Sequence, residues 1–304
     1  MSIGSRKVVG SGLTYLTGAA AALVVGMLAL ILWDVVAGGA GKLSWEFLTA
    51  APTEGMTSGG IFPAIYGTAV MTLIMTVAVM PVGVATAVYL HEYAPPRSRL
   101  AAAVRVAVTN LAGVPSIVFG LFGLGFFVQF VGGGLDRVFS EPGVLRFGQP
   151  ALLWASLTLA VLTLPVVIVS TEEALRAVPR DHRDASLALG ATRSQTLVRV
   201  LLPGALPGIL TGAILAVARG AGEVAPILFT GVAYFLPDLP GSPFSQFMHL
   251  GYHVFVLATQ SPDVEATRPL LYATVLVLLV LTFALNAVAI AIRTQTRRKA
   301  EAGH

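Results

Sequence analysis

Six long apolar stretches constrain the fold of this chain more than any other feature. They occupy residues 11–33, 64–90, 106–131, 151–169, 205–236 and 270–292. A helix needs about 20 apolar residues to cross the hydrocarbon core of a bilayer. Only 11% of the residues are charged, whereas about 25% are charged in a typical soluble domain. We therefore expect an all-α, polytopic membrane bundle with six transmembrane helices.

The first stretch has a second interpretation, as a cleaved signal peptide. Arg6 and Lys7 would form its charged end, and the small residues of VVAGGA at 35–40 would resemble a cleavage site. The apolar run is longer than the roughly 7–15 residues of a signal-peptide core, which favours a transmembrane helix.

Lysine and arginine residues are divided unequally between the two sides that six spans create. One side holds both termini and the 91–105 and 170–204 connections, and it carries Arg6, Lys7, Arg97, Arg99, Arg105, Arg176, Arg180, Arg183, Arg193, Arg199, Arg293, Arg297, Arg298 and Lys299. The other side carries Lys42, Arg137, Arg146 and Arg268. Because basic loops stay in the cytoplasm, we expect both termini there.

Motifs for catalysis or nucleotide binding are absent from the sequence. There is no cysteine, no G-x-x-x-x-G-K-[ST] loop, no G-x-S-x-G elbow and no H-E-x-x-H helix. We therefore expect a chain that is not an enzyme, binds no cofactor itself and has no nucleic-acid partner. His249 and His253 are four residues apart, but no carboxylate completes a metal-ligand set, so we interpret them as one face of an interfacial helix.

One ion pair interrupts the fifth apolar stretch. Arg219 and Glu223 are four residues apart, which predicts that they lie on the same face of the fifth transmembrane helix. An arginine at the bilayer centre costs at least about 2.5–3.5 kcal/mol, and such residues face a bundle interior or a wet cavity. The pair either pins helix packing or lines a translocation route. A guanidinium suits an oxyanion, and Glu223 would orient and neutralise it when no cargo is bound.

Polar residues also interrupt the third stretch, around Pro115. Thr109, Asn110 and Ser116 lie close to this proline in the sequence. A proline frees a backbone carbonyl that neighbouring polar groups can satisfy. These side chains therefore either adjust helix packing or line a polar route.

Two further patterns predict local structure. Small residues recur at every fourth position of the fifth stretch, at Gly208, Gly212, Ala216 and Gly220, and this spacing allows close helix packing in lipid. In the 170–204 connection, Ser170, Thr171, Glu172 and Glu173 predict a helix start. Pro179 predicts the first turn of a second short helix, and Gly190 predicts its end.

Residues 184–203, DASLALGATRSQTLVRVLLP, closely resemble the EAA loop of ABC-importer permeases. Asp184, Ala185 and Ser186 take the E-A-A positions, Gly190 the glycine, and Val200, Leu202 and Pro203 the end of the motif. The sequence departs from the pattern at Asp for Glu, Ser for Ala and Val for Ile. NLAGVPSIVFGLFG at 110–123 and RGAGEVAPILFTG at 219–231 narrow the resemblance to A-type permease subunits of bacterial phosphate-specific ABC importers.

The resemblance implies a fold, partners and roles. The fold would be that of a type I ABC-importer permease (MetI-like), with an N-terminal helix and outer segment in 1–60 and the permease domain in 61–304. A homologous second permease, two ATPase subunits that bind ATP and Mg, and a periplasmic phosphate-binding protein would complete the importer in the bacterial cytoplasmic membrane. A coupling helix near 184–190, which presents Leu187 and Leu189, would dock on an ATPase.

Inorganic phosphate is the cargo that this resemblance implies. Arg219 would contact or gate the anion with Glu223 as its partner, and Thr109, Asn110 and Ser116 are further candidates for the route. A permease for another oxyanion, such as molybdate, sulfate or phosphonate, is an alternative. So is a secondary anion transporter, although that class does not explain the EAA-like loop.

Overall fold

The computed structural model describes residues 3–53, 58–95, 97–261 and 263–302. The side chains of residues 1–12, 297 and 299–304 lie outside that description, and with them the predicted topology anchors Arg6, Lys7, Arg297 and Lys299.

Helices form nearly all of the regular structure. The helices that begin before residue 150 are α1 (Ile3–Gly39), α2 (Trp45–Thr49), α3 (Phe62–Val88), α4 (Arg99–Leu111), α5 (Ser116–Gly123) and α6 (Gly133–Phe139). Those that follow are α7 (Leu152–Ala177), α8 (Arg180–Ala188), α9 (Arg193–Thr196), α10 (Leu202–Gly220), α11 (Leu250–Thr259) and α12 (Val264–Ala302). Strands β1 (Pro52–Thr53) and β2 (Ser58–Gly59) form an antiparallel pair.

Short helical turns extend several of these helices into longer rods. A 3-10 turn at Ala40–Lys42 follows α1, and π-helical turns occupy Tyr89–Tyr93, Leu124–Gly132 and Leu197–Leu201. Six helical rods among the described residues are long and apolar enough to span a bilayer: Leu13–Lys42, Phe62–Tyr93, Ser116–Phe139, Leu152–Ala177, Arg193–Gly220 and Val264–Thr296. The predicted number of spans is confirmed.

Helix α7 lies at the centre of the bundle, between α3 and α10. In its most apolar window 67% of the residues are buried, against 6% in each of the first and last spans. Most of its hydroxyl side chains are satisfied within the helix, since Thr158 donates to the Trp154 carbonyl at 2.7 Å and Thr163 donates to the Leu159 carbonyl at 2.9 Å. The buried Thr171 hydroxyl, in contrast, has no hydrogen-bond partner among the described residues. The core around α7 is therefore apolar although several of its buried residues carry hydroxyl groups.

The third span differs from the prediction of a helix over 106–131. The chain leaves the helix after Leu111 and re-enters one at Ser116, so α4 is a separate amphipathic helix and the span is Ser116–Phe139. Pro115 causes the break, because it has no backbone N–H to donate and disfavours helical geometry in the residue before it.

The fifth span also differs, since helix α10 ends at Gly220 rather than continuing to 236. Gly220, Gly222 and Pro226 all disfavour a continuous helix here. The segment 221–231 consists of turns, in which Thr230 Oγ1 donates to the Pro226 carbonyl at 3.0 Å. Irregular backbone of this kind is tolerated in a membrane protein where other protein covers it.

Two smaller predictions were wrong. Residues 170–173 do not start a helix but continue α7, because the Ser170 hydroxyl donates to the Val166 carbonyl at 2.8 Å and Thr171 is fully buried. His249 and His253 are buried rather than interfacial, with 1% and 2% exposure. Burial lowers the pKa of His249 to about 3 and that of His253 to about 4, so both imidazoles are neutral at pH 7.

Candidate translocation site and coupling helix

Arg219 and Glu223 form an ion pair at the end of α10. Arg219 lies in the last helical turn, and Glu223 lies beyond the helix, where its backbone N–H donates to the Gly220 carbonyl at 3.3 Å. Arg219 Nε is 3.6 Å from Glu223 Oε1, and the two side chains are 39% and 24% exposed. The pair therefore forms across a helix end rather than along a helix face.

Close contacts through glycine hold the turn segment 221–231 against α5 and α7. A Cβ atom at Gly120 would lie 3.0 Å from the Ala225 carbonyl oxygen. A Cβ atom at Gly123 would overlap the side chains of Thr158 and Thr230. These contacts fix the backbone that follows Arg219 and so fix the position of Glu223.

The small residues of α10 have the packing role predicted for them. Added Cβ atoms would meet Ala174 at Gly208, Ser170 at Gly212 and Met75 at Gly220, and Ala216 is fully buried. The backbones of α10 and α7 thus approach closely, as small residues at this spacing allow.

The surface formed by the end of α10 and the turn segment carries exposed apolar side chains in addition to the ion pair. Leu215, one turn before Arg219, is 50% exposed, and Phe229 in the turn segment is 36% exposed. A charged side chain on such a surface is unfavourable against lipid and favourable against water or another subunit. The pair therefore faces either a wet route or a partner chain.

The other predicted route residues do not join this pair. Thr109 and Asn110 are exposed in the last turn of α4, where the Thr109 hydroxyl donates to the Arg105 carbonyl at 2.9 Å, and Ser116 is the first residue of α5. Across the described residues, no hydrogen bond or ion pair connects the three with Arg219 or Glu223. Thr109 does line a cavity of about 440 Å³ between α4, α7 and α10, which Leu215 also lines.

The EAA-like residues form a short helix with a defined end. Helix α8 begins after Pro179 and runs from Arg180 to Ala188. Gly190 follows with φ +84°. The Gly190 N–H donates to the Leu187 carbonyl at 3.0 Å, and the Ala191 N–H donates to the Ser186 carbonyl at 3.2 Å. This pair of bonds is a Schellman motif, which confirms the helix end predicted at Gly190. Pro179 lies at the N-cap, one residue before the first turn in which it was predicted.

Helix α8 has an attached face and a free face. Arg183 and Ser186 are half-buried and point at the bundle, where the Ser186 hydroxyl lies 3.0 Å from the hydroxyl of Thr196. Asp184 and Ala185 are exposed. Leu187 is 38% exposed and Leu189, just after the helix, is 89% exposed. Apolar side chains this exposed at the tip of a polar loop are typical of a docking surface.

Comparison with known proteins agrees with the assignment of a membrane-spanning helix bundle. Residues 79–299 match the model of the family described as "Binding-protein-dependent transport system inner membrane component". The chain belongs to this family. It is therefore a multi-pass membrane transport component, with the fold of an ABC-importer permease.

Three similar proteins support the assignment of this permease. A probable ABC transporter permease protein, YqgI of Bacillus subtilis, is 33% identical over 86% of this chain and 88% of its own length. Phosphate transport system permease protein PstA 1 of Mycobacterium tuberculosis is 37% identical over 67% of this chain and 64% of its own length. A chain in the crystal structure of a bacterial alginate ABC transporter is 13% identical and shares the fold with a TM-score of 0.63, covering 97% of this chain and 96% of that chain.

Sequence reasoning missed an ion-pair network in this permease, near α8. Glu172, predicted to start a helix, instead lies within α7 with its side chain 11% exposed, and Arg105 Nη1 donates to its Oε2 at 2.9 Å. Glu92, in the π-helical turn after α3, has a side chain that is 9% exposed and pairs with Arg183. The only sequence signal for these carboxylates is that acids are rare in this chain and lie close to basic connections.

Proposed function

We propose that this permease belongs to an ATP-driven importer whose cargo is inorganic phosphate. The observation that carries the choice of cargo is the 37% identity to a mycobacterial phosphate transport system permease. The complete importer would combine this chain with a homologous second permease, two ATPase subunits that bind ATP and Mg, and a periplasmic phosphate-binding protein. The similar alginate transporter was crystallised with a substrate-bound periplasmic protein, which supports such a partner.

Arg219 is our candidate for the residue that contacts or gates the anion. Its guanidinium offers a fixed fork of donors that matches oxyanion geometry and stays charged at any working pH. Its 39% exposure in the single chain leaves it accessible from the surface where the second permease would pack. Glu223, 3.6 Å away, would neutralise the guanidinium when no anion is present.

Thr109, Asn110 and Ser116 are weaker candidates for the same route. Thr109 is the best placed of the three, because it lines the cavity that also contains Leu215, one turn before Arg219. Asn110 and Ser116 lie on either side of the break at 112–115, which would give a route polar groups at that level.

The exposed face of α8 is our candidate for the contact with the ATPase subunits. Asp184, Ala185, Ser186 and Leu187 belong to this helix, and Gly190 ends it with a left-handed residue. Closure of the ATPase subunits would pull α8 and reorient the spans, which is a hinge or shear type of transition. This arrangement requires α8 and both termini in the cytoplasm, as the distribution of basic residues predicts.

Transport by the reconstituted importer tests the cargo. The chain, its second permease and its ATPase subunits are reconstituted in vesicles with ATP inside and the binding protein outside. Uptake of labelled phosphate is then measured. We expect uptake that unlabelled phosphate suppresses and that sulfate and molybdate leave unchanged. No uptake of labelled phosphate by an assembled importer that takes up labelled sulfate or molybdate would make another oxyanion the cargo, and uptake driven by an ion gradient without ATP would favour a secondary transporter.

A further inference from the structure

Two polar side-chain contacts between helix α8 and the bundle are found among the described residues, and they reach different rods. Arg183 Nη1 donates to Glu92 Oε1 at 3.2 Å, and Arg183 Nη2 lies 3.1 Å from Glu92 Oε2. Ser186 meets Thr196 of α9 at 3.0 Å. The first contact leads to the rod Phe62–Tyr93, and the second leads to the rod Arg193–Gly220.

The connection to the rod Phe62–Tyr93 depends on side chains alone. Helix α8 is joined covalently to α7 through residues 178–179 and to α9 through residues 189–192. Glu92, in contrast, is 91 residues away from Arg183 in the sequence. The two parallel contacts between guanidinium and carboxylate fix both distance and orientation, as bidentate pairs do.

The middle of this rod packs in the core of the bundle. Met71, Met75 and Val79 of α3 are almost fully buried in the core cluster that includes Leu159 and Val167 of α7. Met75 also packs against Gly220, the residue next to Arg219. A Cβ atom added at Gly220 would overlap the sulfur atom of Met75. A shift of this rod would therefore reach the backbone beside the ion pair.

A second arginine ties the end of the rod that carries Glu92 to the neighbouring helices. Arg105 of α4 donates through Nη2 to the Leu90 carbonyl at 3.0 Å and through Nη1 to Glu172 of α7 at 2.9 Å. Leu90 lies in the same π-helical turn as Glu92. Glu92 is therefore anchored in a block of three helices rather than in a free helix end.

We propose that the Arg183–Glu92 pair is the positioning contact through which movement of α8 reaches α3. The pair stays closed while the ATPase subunits open and close, so that α8 and the end of α3 move as one body. The proposal rests on the proposed function only in taking α8 as the contact with the ATPase. It does not depend on which anion is carried.

Charge reversal within the complete importer tests the contact. Glu92→Arg, Arg183→Glu and the double variant are compared with Arg99→Glu, a control at an exposed arginine at the start of α4 that lies outside α8 and has no ion pair among the described residues. We expect each single reversal to keep ATP hydrolysis and to lower uptake per ATP by about tenfold, the usual size of a coupling between sites. The double variant should recover most of the loss, and Arg99→Glu should resemble the unmodified importer.

A distance measurement covers the case in which a reversed variant does not assemble. The chain has no cysteine, so cysteines at His182 and Tyr93 can carry two spin labels, one beside each partner of the pair. We expect the same distance between labels in the nucleotide-free and ATP-trapped importer. A changed distance, unaltered coupling in both single variants, or no recovery in the double variant would overturn the proposal. Absence of phosphate uptake by the unmodified importer would contradict the cargo alone, because the label distance is read without cargo.

Discussion

Replacing Arg219 by glutamine removes its charge and leaves a shorter polar side chain that can still donate hydrogen bonds. If Arg219 contacts the anion, the variant loses a hydrogen bond between two charged groups, which is worth about 1.5–3 kcal/mol. That range corresponds to about a ten- to a hundredfold loss of uptake at low phosphate. Arg219→Lys keeps the charge but loses the planar fork, so we expect an intermediate loss.

Glu223→Gln should have the opposite effect on binding. The 3.6 Å separation and the part-exposed side chains place this pair among surface ion pairs, which contribute up to about 1 kcal/mol. Removing the competing carboxylate should therefore tighten anion binding by about fivefold at most. Because a tighter site releases its cargo more slowly, the maximal uptake rate should fall.

Phosphate uptake and ATP hydrolysis by the reconstituted importer distinguish these outcomes. Arg199→Gln is the matched control, since Arg199 is exposed, lies in the same rod and is 20 residues from Arg219 in the sequence. Uptake within twofold of normal in a fully assembled Arg219→Gln importer would refute the route and leave the pair as a packing element. Loss of assembly in Arg219→Gln, with normal assembly of the control, would show that the pair is structural.

Two further substitutions test the packing and the docking surface. Gly123→Ala should lower the thermal stability of the purified importer by about 1–3 kcal/mol, because the added methyl group overlaps two threonine side chains. A Cβ atom added at Gly125 would have no neighbour within 4 Å, so Gly125→Ala should leave the stability unchanged or slightly higher. Equal effects of the two substitutions would contradict the close packing described at Gly123. Leu189→Asp should weaken co-purification of the ATPase subunits, by about 2 kcal/mol or thirtyfold if Leu189 is a hot spot. Leu145 is also exposed, and Leu145→Asp, the control, should leave co-purification of the ATPase subunits unchanged. Retention of the ATPase subunits by Leu189→Asp would exclude the exposed face of α8 as the docking surface.

Composition and apolar length predicted the six spans because membrane insertion depends on those two quantities. They could not place the helix ends inside the third and fifth stretches, because helical and irregular apolar segments have similar hydropathy. Pro115 and Pro226 carried the missing information, but a proline inside α3, Pro81, leaves that helix unbroken. Whether a proline breaks a helix depends on the neighbours that satisfy the freed carbonyl, and those become known only with the packing.

The parts of the candidate site that depend on local backbone geometry could be predicted from the sequence. Pro179 and Gly190 defined α8 because both act through their own backbone. Glu172 was misread because the same acidic residue that suits a first helical turn also suits a buried ion pair with Arg105, and its partner is 67 residues away. Glu92 and Arg183 were missed for the same reason, since no spacing rule relates residues 91 positions apart.

The helix end at Gly220 changes the physical reason for regarding Arg219 as functional. In an unbroken span the cost of a midmembrane arginine would by itself demand a role. In the last turn of α10 the helix dipole favours a cation, the side chain is 39% exposed, and Glu223 lies beside it, so the cost is much lower. Arg219 is therefore a functional candidate because of the apolar surface on which it is exposed. A second permease that covers this surface would enclose the ion pair between the two chains, where a passing anion can compete with Glu223 for the guanidinium.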